Sequence, residues 1–197
     1  EEFIKGVRRL CDEHDLLLIL DEIQCGMGRS GNMFAWQHYG VKPDVMTVAK
    51  ALGNGLPVGA FLACGKAASA MVPGDHGTTY GGNPLVTAGA TAVLDIFEER
   101  HIVDHVKEIG AYLSEKLDGI VEKYDVVKER RGMGLIQGLE FTGPVGPVVS
   151  NALLEQNLVL ISAGANIIRF VPPLVIGKAD VDEMAGRLEA AIKAVCG

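Results

Sequence analysis

The sequence contains a single tryptophan, and aromatic residues make up only 6% of its 197 positions. It has no apolar run that could cross a bilayer. The longest unbroken aliphatic stretch, Leu16–Leu20, falls far short of the roughly 20 residues a transmembrane helix needs. Positive charge is also scarce. The formal net charge is −7 and no basic patch stands out, which argues against nucleic acid as a partner because phosphate backbones recruit basic surfaces. The cysteines Cys11, Cys25, Cys64 and Cys196 are widely spaced and form no C-x-x-C pair. That spacing disfavours a disulfide scaffold or a zinc site and fits a reducing, cytoplasmic setting. The opening EEFIKGVRRLCDEHD is acidic and helical in pattern, unlike a signal peptide. No initiator methionine precedes it, so the chain reads as a piece of a longer protein.

What is present is ordinary for a globular fold: 48% hydrophobic and 22% charged residues, enough for one large domain or two small ones. Phe3, Val7, Leu10 and Cys11 share one helical face, which predicts a helix over residues 2–14. Leu16–Leu20 reads as a strand buried on both faces of a parallel sheet. A glycine-rich loop follows, then a short helix over 32–39 and strands at Val45–Val48 and Val58–Cys64. The turn-rich stretch 73–84 is a loop, and helices follow over 83–99 and 102–123.

Beyond Tyr124 the pattern changes. Strands are expected at Gly134–Phe141, Leu158–Ser162 and Ile167–Val171, with a helix over 147–156. A last helix is expected from Asp180, with Glu183 as its capping-box partner. The expected organisation is α/β with a mainly parallel sheet over 1–100, then a small α+β domain over 101–197. No internal repeat or low-complexity segment interrupts it.

Two charged features stand at strand ends. Asp21 and Glu22 follow one buried strand, and Lys50 follows the next. Open α/β sheets bind ligands at that edge. A carboxylate pair there could instead be a helix cap, and a lone lysine is usually a solvated surface residue. Around Lys50, however, Gly53, Gly55 and Gly59 leave little bulk, so a flat ligand could approach the backbone. A lysine in a tight pocket can lose its proton and form a Schiff base with an aldehyde. Pyridoxal phosphate requires such a lysine, a carboxylate for its ring nitrogen and donors for its phosphate. Lys50 and Asp21 meet the first two needs; Thr78 and Thr79 offer part of the third.

Competing motifs are weaker. GMGRSG (26–31) matches G-x-G-x-x-G, but DEIQC puts two carboxylates where a dinucleotide pyrophosphate would sit. His101 and His105 are spaced i, i+4 without an evident third metal ligand.

The runs LLLILDEIQCGMGRSG, KPDVMTVAKALGNGLPVGA, HGTTYGGNP, RGMGLIQGLEF and IIRFVPPLVI, in this order, resemble the class III aminotransferases of fold type I. The resemblance covers essentially the whole chain. Within the class, QCGMGRSG and HGTTYGGNP are most similar to the acetylornithine aminotransferases of arginine biosynthesis. The resemblance implies pyridoxal 5'-phosphate as cofactor and the PLP-transferase fold. Asp21 would face the pyridine nitrogen and Gln24 the ring's phenolic oxygen, with Glu22 and Ile23 in the same cofactor-binding segment. Lys50 would hold the cofactor and shuttle protons. Thr79 would reach the phosphate in the neighbouring subunit of a homodimer with shared active sites. Thr78 and Arg169 would lie at the substrate, Arg169 as a carboxylate-binding guanidinium or else as a structural ion-pair partner.

The implied reaction is transamination between N-acetylornithine and 2-oxoglutarate, an amino acid and a 2-oxo acid. Family members carry a preceding half with a phosphate loop, an aromatic residue over the ring and a further substrate arginine. None of these occurs here, so the resemblance implies a C-terminal fragment that is inactive alone. Other ω-amino donors (ornithine, succinylornithine or 4-aminobutyrate) share the same residues. A folded, dimerising module without catalysis is the non-enzymatic alternative.

Overall fold

The computed structural model describes residues 1–197, which form two compact units, Glu1–Val103 and Asp104–Gly197. In the first unit, helix α1 (Glu2–Glu13) presents Ile4, Val7 and Cys11 to Leu18, Leu20, Tyr39 and Val41. That spacing is the stripe of a one-sided amphipathic helix. Arg8 anchors the helix: its guanidinium donates to Asp44 Oδ2 at 2.8 Å, and the same oxygen accepts the Leu18 N–H at 2.8 Å.

Three strands follow: β1 (Ile19–Asp21), β2 (Val45–Val48) and β3 (Ala60–Ala63), in spatial order β1-β2-β3. β1 and β2 run parallel, pairing Ile19 with Val45 and Asp21 with Thr47. β2 and β3 run antiparallel, so the three strands this chain supplies form a mixed sheet. The link from Val48 to Ala60 is too short for the crossover that a parallel strand needs.

β1 is also shorter than the Leu16–Leu20 run suggests. Leu18 is buried and Leu20 half-buried; within these 197 residues β1 has one hydrogen-bonded neighbour, β2, and α1 packs against it. A short helix α2 (Gly65–Ser69), an exposed loop and helix α3 (Pro84–Glu99) complete this unit. Asn83 Oδ1 caps α3 by accepting the N–H groups of Leu85 (3.1 Å) and Val86 (3.3 Å).

The second unit begins within the first turn of helix α4 (Ile102–Lys123). Its antiparallel sheet has the order β4-β5-β7-β6, with β4 at Val127–Met133, β5 at Ile136–Phe141, β6 at Ile161–Ser162 and β7 at Ile167–Phe170. Leu139, Phe141, Ile168 and Phe170 are buried from the sheet. Val106, Leu113 and Leu117 of α4 are buried with them, as are Val181, Leu188 and Ile192 of helix α6 (Lys178–Cys196). Helix α5 (Gly146–Leu154) adds Val148 and Ala152. A polar bolt crosses this core: Gln137 Nε2 donates to Gly110 O at 3.0 Å and Gly134 O at 2.8 Å.

β4 is absent from the sequence-based expectation because VKERRGM reads as a charged surface segment. It is an edge strand whose charges lie along the sheet: Lys128 and Arg131 both bind Glu140. α6 starts at Lys178, before the expected Asp180. Asp180 is its capping residue, accepting the Gly177 N–H at 2.7 Å, while Glu183 pairs with Arg187. No helix is long and apolar enough to cross a membrane.

Candidate active site

The parallel register of β1 and β2 brings Asp21 and Thr47 side by side at the carboxyl end of both strands, and Lys50 follows three residues after Thr47. Asp21 Oδ1 accepts the Ile23 N–H at 2.9 Å and the Thr47 hydroxyl in a long bond of 3.4 Å. Oδ2 has no partner within the chain, so this exposed carboxylate is oriented on one side and available on the other.

Lys50 opens a 3-10 turn (Lys50–Leu52) with φ +46, a left-handed conformation that costs a residue with a Cβ about 1–2 kcal/mol. Such strain persists only where the surroundings impose it, and it concentrates at functional sites. Here Gly53 N–H and Asn54 N–H both bond to Lys50 O, at 3.2 and 3.1 Å. Gly53 allows the loop to close: a Cβ there would lie 2.2 Å from Leu56 O. The Lys50 side chain is exposed, with its amine free to reach a ligand above the sheet edge.

Residues 23–30 form consecutive turns after β1, and Gln24 is exposed within them. Glu22 is used differently from Asp21. It is only 2% exposed; its Oε1 accepts the Trp36 N–H and its Oε2 the Ala35 N–H, both at 2.9 Å. These amides open the 3-10 turn Ala35–His38. Both oxygens of the Glu22 carboxylate are therefore engaged within the protein. Cys25 Sγ lies 3.4 Å from Glu22 Oε2, and its thiol is pushed up to about 11, first by burial and then by the charge of Glu22.

Thr78 and Thr79 lie in the exposed loop before α3. Thr78 Oγ1 accepts the Gly81 N–H at 3.0 Å, and no hydrogen bond joins either threonine to Asp21 or Lys50. The loop touches β3 through His76 and Phe61, whose rings meet edge to face at 6.4 Å. Arg169 belongs to the second unit, on β7, where it lines a cavity of about 390 Å³ with Leu113, Phe170, Pro172 and Met184. Its buried Nε has no partner, and no carboxylate of this chain pairs with it. His105 Nε2 is engaged with Ile176 O at 2.8 Å. Thr47 was not singled out from the sequence; its only signal there was its place three residues before Lys50.

A lysine and an oriented carboxylate thus follow adjacent strand ends, the residue types that carbonyl chemistry on a nitrogen-containing ring requires. A profile of the aminotransferase class-III family matches residues 1–192, and the chain belongs to that family. It is 47% identical over 194 residues to acetylornithine aminotransferase 1 of Bradyrhizobium diazoefficiens, covering 98% of this chain and 48% of the relative. Among solved structures, N-acetylornithine aminotransferase from Stenotrophomonas maltophilia superimposes with a TM-score of 0.87 at 41% identity, covering 98% of this chain and 51% of that one. An ornithine aminotransferase from Plasmodium yoelii superimposes with a TM-score of 0.91 at 31% identity, covering 98% and 52%. The chain thus spans about half the length of the curated relatives it matches.

Proposed function

We propose that the whole protein is a pyridoxal 5'-phosphate-dependent aminotransferase acting on N-acetylornithine and 2-oxoglutarate, a step of arginine biosynthesis in the cytoplasm. The observation that carries this reading is the parallel register of Asp21 with Thr47, which leaves Asp21 at the carboxyl end of one strand and Lys50 just past the carboxyl end of its neighbour. The donor assignment is supported by the 47% identity to the Bradyrhizobium acetylornithine aminotransferase and the 41% to the Stenotrophomonas one, against 31% to the Plasmodium yoelii ornithine aminotransferase. Residues 1–100 would belong to the cofactor-binding large domain and residues 101–197 to the small domain.

The residues present fit the cofactor. Asp21 offers one free carboxylate oxygen, Lys50 an exposed amine, and Ile23 and Gln24 line the turn between them. When bound, pyridoxal phosphate supplies an electron sink that stabilises negative charge on the carbon bearing the donor's amino group. Asp21 holds a proton on the ring nitrogen, which keeps that sink effective. Lys50 Nζ would hold the cofactor by its aldehyde carbon and would take up the proton lost by the donor carbon. Gln24 donates a hydrogen bond beside the ring. Thr79 reaches the phosphate held in the other subunit of a homodimer, and Thr78 lies at the substrate. Arg169, with no internal carboxylate partner, receives a substrate carboxylate through its guanidinium fork.

The test is the visible spectrum of the full-length protein before and after N-acetylornithine, with ornithine and 4-aminobutyrate as comparisons. Fastest bleaching of the cofactor band by N-acetylornithine is expected. Bleaching by another amine alone would move the donor assignment, and no band with added pyridoxal phosphate would overturn the role of Lys50.

A further inference from the structure

Glu22 is the only carboxylate, amine or guanidinium in the chain that is fully buried. Burying an ionised group is costly unless its oxygens are satisfied. Here they are met by neutral donors: the adjacent N–H groups of Ala35 and Trp36, and the Cys25 thiol. The backbone of the same residue is tied on both sides. Glu22 N–H extends the ladder past the end of β1 by donating to Thr47 O at 3.0 Å, and Glu22 O accepts the Gly26 N–H at 3.0 Å. Gly26 packs so closely that a Cβ there would lie 2.6 Å from Glu22 O and 3.0 Å from Glu22 Oε2. One residue thus joins the end of β1, the turn after it and the start of the Ala35–His38 turn. Its immediate neighbour is Asp21.

We propose that Glu22 is a positioning residue: by gripping the amides of Ala35 and Trp36 it holds the turn bearing Asp21, Ile23 and Gln24, and through that turn sets Asp21 against the cofactor. The inference rests on the reading of Asp21 and Lys50 given above. Its chemistry is that of acceptor number. Two neighbouring amides at the start of a 3-10 turn need two acceptor oxygens at one place. A carboxylate supplies both, whereas a carboxamide of the same shape supplies one and points an N–H at the other donor. The segment Asp21–Gln24 has no other side-chain link to the 34–38 segment, so a change at Glu22 passes directly to the residue beside it.

The test uses the full-length protein with Glu22→Gln, and with Glu22→Gln combined with Ala35→Pro. Proline suits position 35, the first residue of the turn, because Phe34 before it is extended (φ −132, ψ 143). The double variant removes the N–H that would confront the carboxamide.

Glu22→Gln is expected to weaken pyridoxal phosphate binding to the apo-protein by about tenfold or more, the scale set by outer-shell partners at bound groups. Turnover number should fall in parallel, with the donor KM altered less than about threefold. Cys25 in the apo-protein should react faster with a thiol reagent as the neighbouring charge is lost. The double variant should regain much of the affinity and the turnover. A lowered melting temperature with unchanged cofactor affinity and turnover would make Glu22 merely structural and overturn the inference, as would failure of Ala35→Pro to restore binding. If Glu22→Gln does not fold, Ala35→Pro alone decides. Binding weakened by about two- to fivefold supports the inference, on the scale of one lost hydrogen bond, and unchanged binding overturns it. Wild-type protein that binds no pyridoxal phosphate overturns the reading of Lys50 and Asp21 together with this inference. Wild-type binding that Glu22→Gln leaves intact overturns this inference alone.

Discussion

Thr47 Oγ1 donates to Asp21 Oδ1 across the parallel pair of β1 and β2, at 3.4 Å and in direct register. Together with the Ile23 N–H, this bond fixes Oδ1 of an exposed carboxylate. Thr47→Val keeps the strand-forming shape and removes the donor. Cofactor affinity of the full-length protein is expected to fall by about threefold to tenfold, matching a neutral hydrogen bond of about 1 kcal/mol. The melting temperature of the apo-protein should barely move. Isothermal titration with pyridoxal phosphate checks the first expectation and calorimetric unfolding the second.

Lys50 combines its proposed chemical role with a left-handed backbone. Lys50→Ala should lower turnover by at least about 10²–10⁴-fold, the usual worth of a positioned proton-transfer group. Substantial residual turnover would refute the assignment. The φ of +46 adds a separate expectation that needs no substrate. Lys50→Gly relieves the left-handed strain and should be more stable than Lys50→Ala by about 1 kcal/mol, although glycine's greater unfolded-state freedom trims the gain. Equal denaturant midpoints for the two variants would show that the conformation is not costly.

Arg169 carries a buried Nε without a partner beside the cavity of the second unit. Arg169→Lys retains charge and loses the planar fork. The KM of the carboxylate substrate it serves should rise by about tenfold, with a smaller change in turnover, as expected when a binding contact common to ground and transition states is lost. Unchanged steady-state constants for both substrates would remove Arg169 from the site.

Acid stability should depend on Asp44. Its carboxyl is held below the ordinary range first by the hydrogen bond from Arg8 and then by that from the Leu18 N–H. A carboxyl lowered in the folded state stabilises the protein above its unfolded value of about 3.9, and this contribution disappears as the pH falls through the lower folded value. Asp44→Asn should therefore destabilise the protein by about 1–3 kcal/mol at pH 7 and show less of the wild-type loss below about pH 4. Urea unfolding at pH 7 and pH 3 measures the difference; parallel losses in both proteins would exclude Asp44 as a source of acid sensitivity.

Much of the fold was legible because its cues are local. The Val7–Cys11 spacing, the Asn83 cap and the alternation of Gln137, Leu139 and Phe141 each follow from spacing within one element, whereas Phe3 and Leu10, expected on the packed face of α1, are exposed and Ile4 packs there instead. Edge strands were harder to read. β4 carries charges that suit an exposed ladder. The start of α6 was displaced because Asp180 caps from the third helical position rather than from the first.

At the site, the sequence alone determined the residue types and their order along the chain: a carboxylate pair after one apolar run, and a lysine among glycines after the next. It singled out Asp21 through the family resemblance, since the chemistry of two adjacent carboxylates is the same. Tertiary structure supplied the geometric difference between them. The strand register sets Asp21 beside Thr47 with an oxygen to spare, while the return of the chain at Ala35 and Trp36 draws both oxygens of Glu22 inward. Side-chain direction reverses from one residue to the next, but which direction finds amides and which finds open space depends on segments up to 26 residues away.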